Sequence, residues 1–275
     1  MLNDPTHPKH VSGAKVVAAW KGGSQDLPSS RDRVEGYAKE LREKWQVEFV
    51  SNIGDICPKV DAILLESVDG RAHLAQAKEV FRCGKPVFID KPLASTLKDA
   101  RAIAALAKAN NVPWFSSSAL RFDRLATDMK APDAIGAIAW GPGPTDATHE
   151  LEMSWYAIHA VEILYALMGK GCQEVTFTAG RDSDDVSCVW KNGVVGTVRT
   201  LRPYGAFGAV VFRPGKVVMP PADYKFSYLG LVTEIVKFFE TKKPSIDEEE
   251  TLEMFQMMDA AQRSKAAGGA PMKLR

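Results

Sequence analysis

The stretch Pro86-Val87-Phe88-Ile89-Asp90-Lys91-Pro92-Leu93 decides how this chain is interpreted. Its first four residues are hydrophobic and predict a buried strand, and an acid and a lysine follow where that strand ends. In an open parallel sheet, ligands bind at the carboxyl ends of the strands. The position of Lys91 therefore points to chemistry, although a lysine at a strand end can also be simply solvated.

Strand and helix patterns alternate on both sides of this stretch, from residue 14 to residue 118. The segments between the apolar runs carry hydrophobic residues at helical spacing and predict helices. The short apolar runs that predict the strands are Ala14–Trp20, Val47–Val50, Val60–Leu65, Pro86–Ile89 and Val112–Phe115. This rhythm predicts an α/β fold with a doubly wound parallel sheet.

The pattern changes after about residue 122. Several strand-like runs follow one another between residues 136 and 219, and Lys191-Asn192-Gly193 between two of them is a strong hairpin signal. Helical patterns cover Trp155–Met168, Tyr228–Phe239 and Glu248–Ala267. The second half is therefore predicted to be an α+β domain with a mainly antiparallel sheet.

Composition excludes several classes of function. Of the 275 residues, 45% are hydrophobic and 25% are charged, and the formal net charge is only +1. The net charge of the protein therefore gives no general attraction to nucleic acid or to an anionic membrane. The apolar runs are too short to span a bilayer, and no secretory signal opens the chain. We expect a cytoplasmic protein whose four cysteines, which include no C-x-x-C pair, are reduced.

Taken in order, five segments resemble the glucose–fructose oxidoreductase/inositol dehydrogenase (Gfo/Idh/MocA) family. The stretch Gly84–Leu93 is similar to the family's "GKHVxxEKPL" motif, with Asp90 in place of the usual glutamate. Val60–His73 resembles its fourth strand with the cofactor-side turn, and Ser118–Phe122 resembles its "xxxRF" crossover. Trp155–Glu162 resembles its active-site histidine helix, and Glu248–Lys273 resembles its C-terminal helix.

The resemblance implies an oxidoreductase that uses NADP or NAD to act on a sugar, a polyol or a related hydroxyl or carbonyl compound. It also implies a homo-oligomer, either a dimer or a tetramer. The implied domains are a Rossmann-like domain at 1–121 and an α+β substrate and oligomerisation domain at 122–247. The C-terminal helix, at 248–275, would return to the first domain.

One part of the family pattern is missing. No G-x-G-x-x-G motif, whose glycines let the backbone approach a dinucleotide diphosphate, occurs in the sequence. The first predicted strand matches the family's second, so the Rossmann-like sheet is expected to be incomplete, without its central first strand. Loss of the charge-assisted hydrogen bonds to the diphosphate should weaken dinucleotide binding by about a thousandfold.

The resemblance assigns catalysis to two residues. Lys91 would polarise the substrate oxygen and help to move its proton while hydride passes to or from nicotinamide. His159 would be the general acid or base opposite it, because imidazole titrates near neutrality, and Glu162 on the same helical face could orient its ring. The alternative for His159 is a hydrogen-bonded core histidine. With His149 and Glu150 these residues could form a metal site, but their spacing does not support one.

The cofactor would lie against residues at the strand ends. Basic and hydroxyl side chains at Lys21, Ser24 and Arg31 suit the 2′-phosphate of NADP, although they could be only a polar turn. Arg121 would bind a ribose, a phosphate or a substrate carboxylate, or form an interdomain salt bridge. The predicted cofactor-binding set is Lys21, Ser24, Ser67, Asp69, His73, Asp90 and Arg121.

Two alternatives stay open at the level of the sequence. One is a hydrolase or lyase that uses the same lysine and histidine without a dinucleotide. The other is a ligand-binding or oligomeric scaffold without catalysis. A nucleophilic serine in the Ser116–Ser118 run is disfavoured because no G-x-S-x-G motif surrounds it.

Overall fold

A computed structural model describes all 275 residues of the chain. Its strands are β1 Ala18–Trp20, β2 Glu48–Val50, β3 Ile63–Leu65, β4 Val87–Asp90, β5 Trp114–Ser117, β6 Gly136–Pro142, β7 Cys172–Ala179, β8 Ser183–Trp190, β9 Val195–Leu201, β10 Gly208–Arg213, β11 Lys216–Val218 and β12 Met272–Lys273. Its α-helices are α1 Pro28–Glu43, α2 Gly70–Val80, α3 Leu97–Ala109, α4 Arg124–Thr127, α5 Glu152–Trp155, α6 Ile158–Met168, α7 Leu229–Thr241 and α8 Glu248–Ala266. Three 3-10 helices cover Ile53–Lys59, Phe81–Cys83 and Ala119–Phe122. None of the helices combines the length and the hydropathy that a membrane span requires.

The chain divides into two compact units. The first contains Met1–Ala94, Lys98–Ser116 and Val232–Asp247. The second contains Ser95–Leu97, Ser117–Leu231 and Glu248–Arg275. Each unit has its own sheet structure and its own core.

The strands of the first unit form two separate sheets. The parallel strands β1 and β2 make one, and β3, β4 and β5 make the other, with β3 and β4 parallel. Strands β1 and β3 are therefore edge strands. Next to β1, the side-chain amide of Asn3 donates to the Val16 carbonyl at 2.8 Å and accepts from the Val16 N–H at 2.9 Å.

The core of the first unit follows the predicted periodicity. Val87, Phe88 and Ile89 are fully buried in β4, as a strand covered on both faces requires. Phe88 and Phe238 each pack edge-on against Phe115, with ring centroids 5.0 and 5.1 Å away. Gly84 ends the helical segment before β4 at a φ of +65°, which favours glycine. Tyr37 of α1 lies at the surface and is 56% exposed.

The second unit is built on one seven-stranded sheet, in the order β11-β10-β6-β9-β8-β7-β12. All its strand pairs are antiparallel except β6 with β9, which are parallel. The predicted hairpin joins β8 to β9, and Gly193 in its turn has a positive φ, as such turns require. Helix α6 packs on β6, β9 and β10, and α8 packs on β7. These observations confirm the α/β class with a mainly antiparallel second sheet.

The C-terminal helix differs from the expectation. In place of returning to the first domain, α8 packs within the second unit, and most of α7 lies in the first. Glu253 of α8 accepts hydrogen bonds from the Gly171 and Cys172 N–H groups at 2.7 and 2.8 Å. Ser264 accepts from the N–H of Phe177 in β7 at 2.9 Å. These contacts satisfy backbone groups of the sheet and fix α8 there.

The cysteine prediction is wrong for two of the four residues. Cys57 and Cys83 form a disulfide, because the 3-10 helices at Ile53–Lys59 and Phe81–Cys83 bring their Cα atoms within 5.1 Å. Cys172 and Cys188 are free and buried. The wide separation of the two bonded cysteines in the sequence gave no signal for this pairing.

Replacing both Cys57 and Cys83 with serine is expected to lower the free energy of unfolding by about 3 kcal/mol, because the bond restricts the unfolded chain. Denaturant titration of the variant and the oxidised protein measures the difference. Thiol labelling of the denatured, unreduced chain should find two reactive thiols. Four reactive thiols would show that the bond is absent.

Candidate functional site

Lys91 follows directly on the last residue of β4, at the carboxyl end of a parallel strand. Its side chain is half-buried, and this burial lowers the pKa of the Lys91 ammonium. The Asp90 carboxylate opposes that shift, whereas the positive charge of Arg33 adds to it. A lysine with a lowered pKa spends more time as the neutral amine, which is the form that accepts a proton.

Two carboxyl groups stand beside this lysine. Leu65 of β3 pairs with Ile89 of β4, so Glu66 and Asp90 come next on adjacent parallel strands. Burial raises the pKa of Asp90 to about 6, and Lys91 acts in the opposite direction. Neighbouring protein atoms and the charge of Asp90 raise the pKa of Glu66, although Glu66 is exposed at the surface. No motif marks Glu66 in the sequence, and it was not predicted as a site residue.

His73 lies entirely inside the first unit. Its Nε2 is 2.9 Å from the Ser67 carbonyl after β3, and its Nδ1 is 3.0 and 3.1 Å from the Pro92 and Leu93 carbonyls after Lys91. Burial lowers the pKa of His73, and these carbonyl groups oppose the shift. The buried ring thus joins the segments that follow two strands and supports the backbone next to Lys91. This placement differs from the predicted contact between His73 and the cofactor.

Asp69 and Ser24 bond to each other, and Asp69 also bonds to Arg71. Asp69 is almost fully buried and caps α2 by accepting from the Arg71 N–H at 2.9 Å. Its carboxylate also accepts from the Arg71 guanidinium at 2.7 Å. Burial alone would raise the pKa of Asp69, but hydrogen bonds from Arg71 and Ser24 outweigh it and hold that pKa below its usual value. Arg71 also pairs with Asp26 at 2.8 Å, so the turn after β1 is joined to the start of α2.

The remaining predicted cofactor residues of this unit are at its surface or half-buried. Lys21 pairs with Glu35 at 2.6 Å, and both side chains are exposed. The Ser67 hydroxyl donates to the Gln76 side-chain oxygen at 2.8 Å. Exposed ion pairs contribute little stability, so an anion could displace Glu35 from Lys21 at small cost.

His159 belongs to the second unit, near the start of α6. Its Nδ1 is 2.6 Å from the Ser118 hydroxyl oxygen, which also accepts the Leu120 N–H at 3.1 Å. A hydroxyl can donate to Nδ1 or accept from it, so this contact is compatible with both protonation states of the ring. Ser118, rather than the predicted Glu162, therefore orients His159. Ser118 is fully buried, which argues against a nucleophilic role.

Arg121 forms the central cation of a buried ion cluster in the second unit. Its guanidinium donates to the carboxylates of Glu162 and Glu250, and the Ser118 N–H also donates to Glu162 at 3.2 Å. Arg121 is 8% exposed and Glu162 is 2% exposed. Because its donors are held by these acids, Arg121 has a structural role in place of the predicted contact with a ribose, phosphate or substrate.

Aromatic rings surround the His159 imidazole. Tyr156 and Phe207 lie at centroid distances of 5.1 and 5.3 Å from it, each at about a right angle, with interplanar angles of 71° and 70°. The predicted helix from Trp155 to Met168 is interrupted at Tyr156, between α5 and α6. Neither Tyr156 nor Phe207 was predicted as a site residue, although Tyr156 lies within the Trp155–Glu162 segment.

The strand ends of the first unit therefore bring together Lys91, Asp90 and Glu66, and the neighbouring turn brings together Ser24 and Asp69. His159 and Arg121 are placed by the second unit. The residues at Lys91 suit proton transfer at a substrate oxygen. The turn after β1 offers polar groups but no glycine-rich cradle for a diphosphate.

Comparison with known proteins agrees with this fold. Residues 12–117 match a family described as an oxidoreductase family with an NAD-binding Rossmann fold. The protein YceM of Salmonella typhimurium is 30% identical over 121 residues, which are 44% of this chain and 36% of YceM. Inositol 2-dehydrogenase 1 of Saccharopolyspora erythraea is 28% identical over 185 residues, 63% of this chain and 52% of that protein.

The matched stretches thus span about a third and about half of these two curated relatives. Among solved structures, the myo-inositol dehydrogenase of Lactobacillus casei, in complex with NAD(H) and myo-inositol, superposes with a TM-score of 0.74. It is 17% identical, and the alignment covers 96% of this chain and 90% of that one. At this identity the likeness concerns the fold.

Proposed function

We propose that this chain is an NAD-binding oxidoreductase of the Gfo/Idh/MocA type, which the match over residues 12–117 supports, and that it oxidises or reduces a hydroxyl or carbonyl group of a sugar or polyol with a nicotinamide cofactor. The observation that carries the proposal is the half-buried lysine at the carboxyl end of β4, with a lowered pKa. This is the position where open parallel sheets bind ligands.

Lys91 is proposed to exchange a proton with the substrate oxygen. In the direction of oxidation, the neutral amine accepts the hydroxyl proton, and the ammonium returns it in reduction. A bound nicotinamide would supply the hydride acceptor or donor. Asp90 stabilises the ammonium form and so keeps the lysine near the balance that both directions require.

His159 is proposed as the second proton-transfer group. Its Nδ1 is held by Ser118, so exchange with the substrate falls to Nε2. The hydroxyl contact orients the ring without adding a charge, in contrast to a carboxylate, which would raise the pKa of the imidazole. This arrangement suits a group that accepts and returns a proton near neutral pH.

Dinucleotide titration tests the proposed function. We expect saturable binding of NADP or NAD with a Kd on the order of 1 mM or tighter, because the strand-end groups remain while the diphosphate cradle is missing. Lys21→Ala should weaken NADP binding several-fold and leave NAD unchanged, if Lys21 meets the 2′-phosphate. The exposed Lys98→Ala is the matched control. Absence of binding to either nucleotide at about 10 mM would contradict the proposal.

We propose further that the second unit self-associates through the outer face of its sheet. Helices cover one face, while Ile138, Trp140, Val210 and Phe212 form an apolar group on the other, only half-buried. Light scattering should show a dimer or tetramer, and Phe212→Glu should shift the protein towards the monomer with its secondary structure unchanged. Tyr37→Glu, at an exposed residue of the first unit, is the control. A monomeric wild-type protein would refute this assembly.

A further inference from the structure

The Glu66 carboxyl has no role in the proton transfer proposed for Lys91, yet it lies next to the residue that precedes this lysine. Strands β3 and β4 pair in parallel up to Leu65 and Ile89. Adjacent strands lie about 4.8 Å apart, so Glu66 and Asp90, the next residue on each strand, are neighbours. Two carboxyl groups therefore meet beside the proposed catalytic lysine.

A buried histidine fixes the spacing of these groups. The His73 ring contacts the Ser67 carbonyl at 2.9 Å, one residue after Glu66. It also contacts the Pro92 carbonyl at 3.0 Å, one residue after Lys91. Burial lowers the pKa of His73, which favours the neutral ring, so the contact adds no charge. The segments that follow β3 and β4 are thus held relative to each other, and the two carboxyl groups with them.

The charges of the three groups act on one another in a linear series. Asp90 acts on Lys91 on one side and on Glu66 on the other. Arg33 of α1 also acts on Lys91, and its positive charge favours release of a proton from the ammonium. Exposure follows the same order, since Lys91 and Asp90 are half-buried and Glu66 is exposed. The series therefore leads from the lysine to solvent.

The two carboxyl groups are suited to hold one proton between them near neutral pH. Burial raises the pKa of Asp90 to about 6. Neighbouring protein atoms and the charge of Asp90 raise the pKa of Glu66 to about 8. Between these values Asp90 is ionised and Glu66 is protonated, so one group accepts a proton while the other releases one.

A purely structural role would look different in this chain. Asp69, an almost fully buried acid of the same unit, bonds to the Arg71 guanidinium at 2.7 Å, and its pKa is lowered. Glu66 has no such cation, and the group that acts on it is a second acid, Asp90. Two carboxyl groups placed side by side cannot both ionise without repulsion, so this placement favours a shared proton.

We infer that Asp90 and Glu66 form a relay that carries the substrate proton from Lys91 to solvent. In the direction of oxidation, the Lys91 amine takes the hydroxyl proton and becomes an ammonium. The ammonium passes a proton to the Asp90 carboxylate, while Glu66 releases its own proton to water and receives the one from Asp90. Every group returns to its starting state, and one proton has moved from substrate to solvent. The inference rests on the proposed function for the source of this proton, and neither acid touches the substrate.

Titration of the carboxyl groups tests the pair without turnover. Carbon-13 NMR of labelled glutamate should show that the pKa of Glu66 lies well above its usual value of about 4.3. Asp90→Asn removes the neighbouring charge and should lower the pKa of Glu66. Asp61→Asn, at an exposed acid just before β3, is the matched control and should leave it unchanged. A Glu66 with the usual pKa, or one that does not respond to Asp90→Asn, would overturn the relay.

Kinetics test whether the pair carries the proton. Glu66→Gln should lower kcat about ten-fold in dilute buffer and leave KM nearly unchanged, because release of the proton is impaired and binding is not. Imidazole at about 50 mM should restore most of the rate, since a small base that titrates near neutrality replaces the lost route to solvent. Asp61→Asn should behave as the wild-type protein with and without imidazole.

The two measurements separate the relay from the proposed function. If Glu66 responds to Asp90→Asn but no nicotinamide-dependent turnover is found, the coupled pair stands and the oxidoreductase function fails. If Glu66→Gln turns over at the wild-type rate in dilute buffer, the function stands and the relay is wrong. A slow Glu66→Gln that imidazole does not restore would give Glu66 a structural role only and would also overturn the relay.

Discussion

Replacing Arg121 with methionine is expected to lower the free energy of unfolding by about 3–5 kcal/mol. The change leaves Glu162 and Glu250 without their cation, and Glu162 is almost completely buried. Removing one partner of a buried ion cluster leaves the other charges unpaired in the protein interior, which solvates them poorly. Urea denaturation monitored by tryptophan fluorescence measures the loss.

Two further variants make this prediction specific. The triple variant Arg121→Met, Glu162→Gln, Glu250→Gln should recover much of the lost stability, because no uncompensated charge remains. Arg124→Met removes the exposed pair of Arg124 with Asp128. It should change stability by less than about 1 kcal/mol. A fully stable Arg121→Met that has lost dinucleotide affinity would restore the cofactor-binding assignment of Arg121.

The second large effect concerns Lys91. Lys91→Met is expected to lower kcat/KM by about 10²- to 10⁴-fold, because methionine retains the length and the packing of the side chain but cannot exchange a proton. Dinucleotide affinity should change little by comparison. Steady-state kinetics with the best substrate, and nucleotide titration of the same variant, separate the two effects. Lys98→Met, on the exposed face of α3, is the matched control.

The dependence of the wild-type reaction rate on pH provides a second test of the role of Lys91. Oxidation requires the neutral amine, so the rate should rise with pH through the pKa of Lys91. Burial lowers that pKa, so the rate should rise at a pH below about 10.4, which is the usual pKa of lysine. A rate that is independent of pH up to that range, or an active Lys91→Met, would remove Lys91 from the mechanism.

The sequence was most informative where structure is local. The strand that ends at Asp90 and the helices on either side follow from short apolar runs and helical periodicity, and the Lys191–Gly193 hairpin follows from its turn residues. These signals depend on neighbours within a few residues. They placed Lys91 at a strand end without any knowledge of tertiary contacts.

The errors concern partners that are distant in the chain. Arg121 bonds to acids 41 and 129 residues away, so its charge alone could not distinguish a structural cation from a phosphate ligand. Ser118 reaches His159 across 41 residues, and Cys57 reaches Cys83 across 26. Periodicity carries no information about such pairs, because only the packing of whole elements brings them together.

The most direct test of the central claim is the transfer of a labelled hydride. Wild-type protein is mixed with NAD or NADP and myo-inositol that carries deuterium on its ring carbons, and the reduced nicotinamide is analysed by mass spectrometry. We expect reduced cofactor that carries one deuterium in the presence of wild-type protein, and almost none with Lys91→Met. If cofactor and inositol both bind to the wild-type protein but no labelled product forms with any neutral ring substrate, this chain is not the oxidoreductase proposed here.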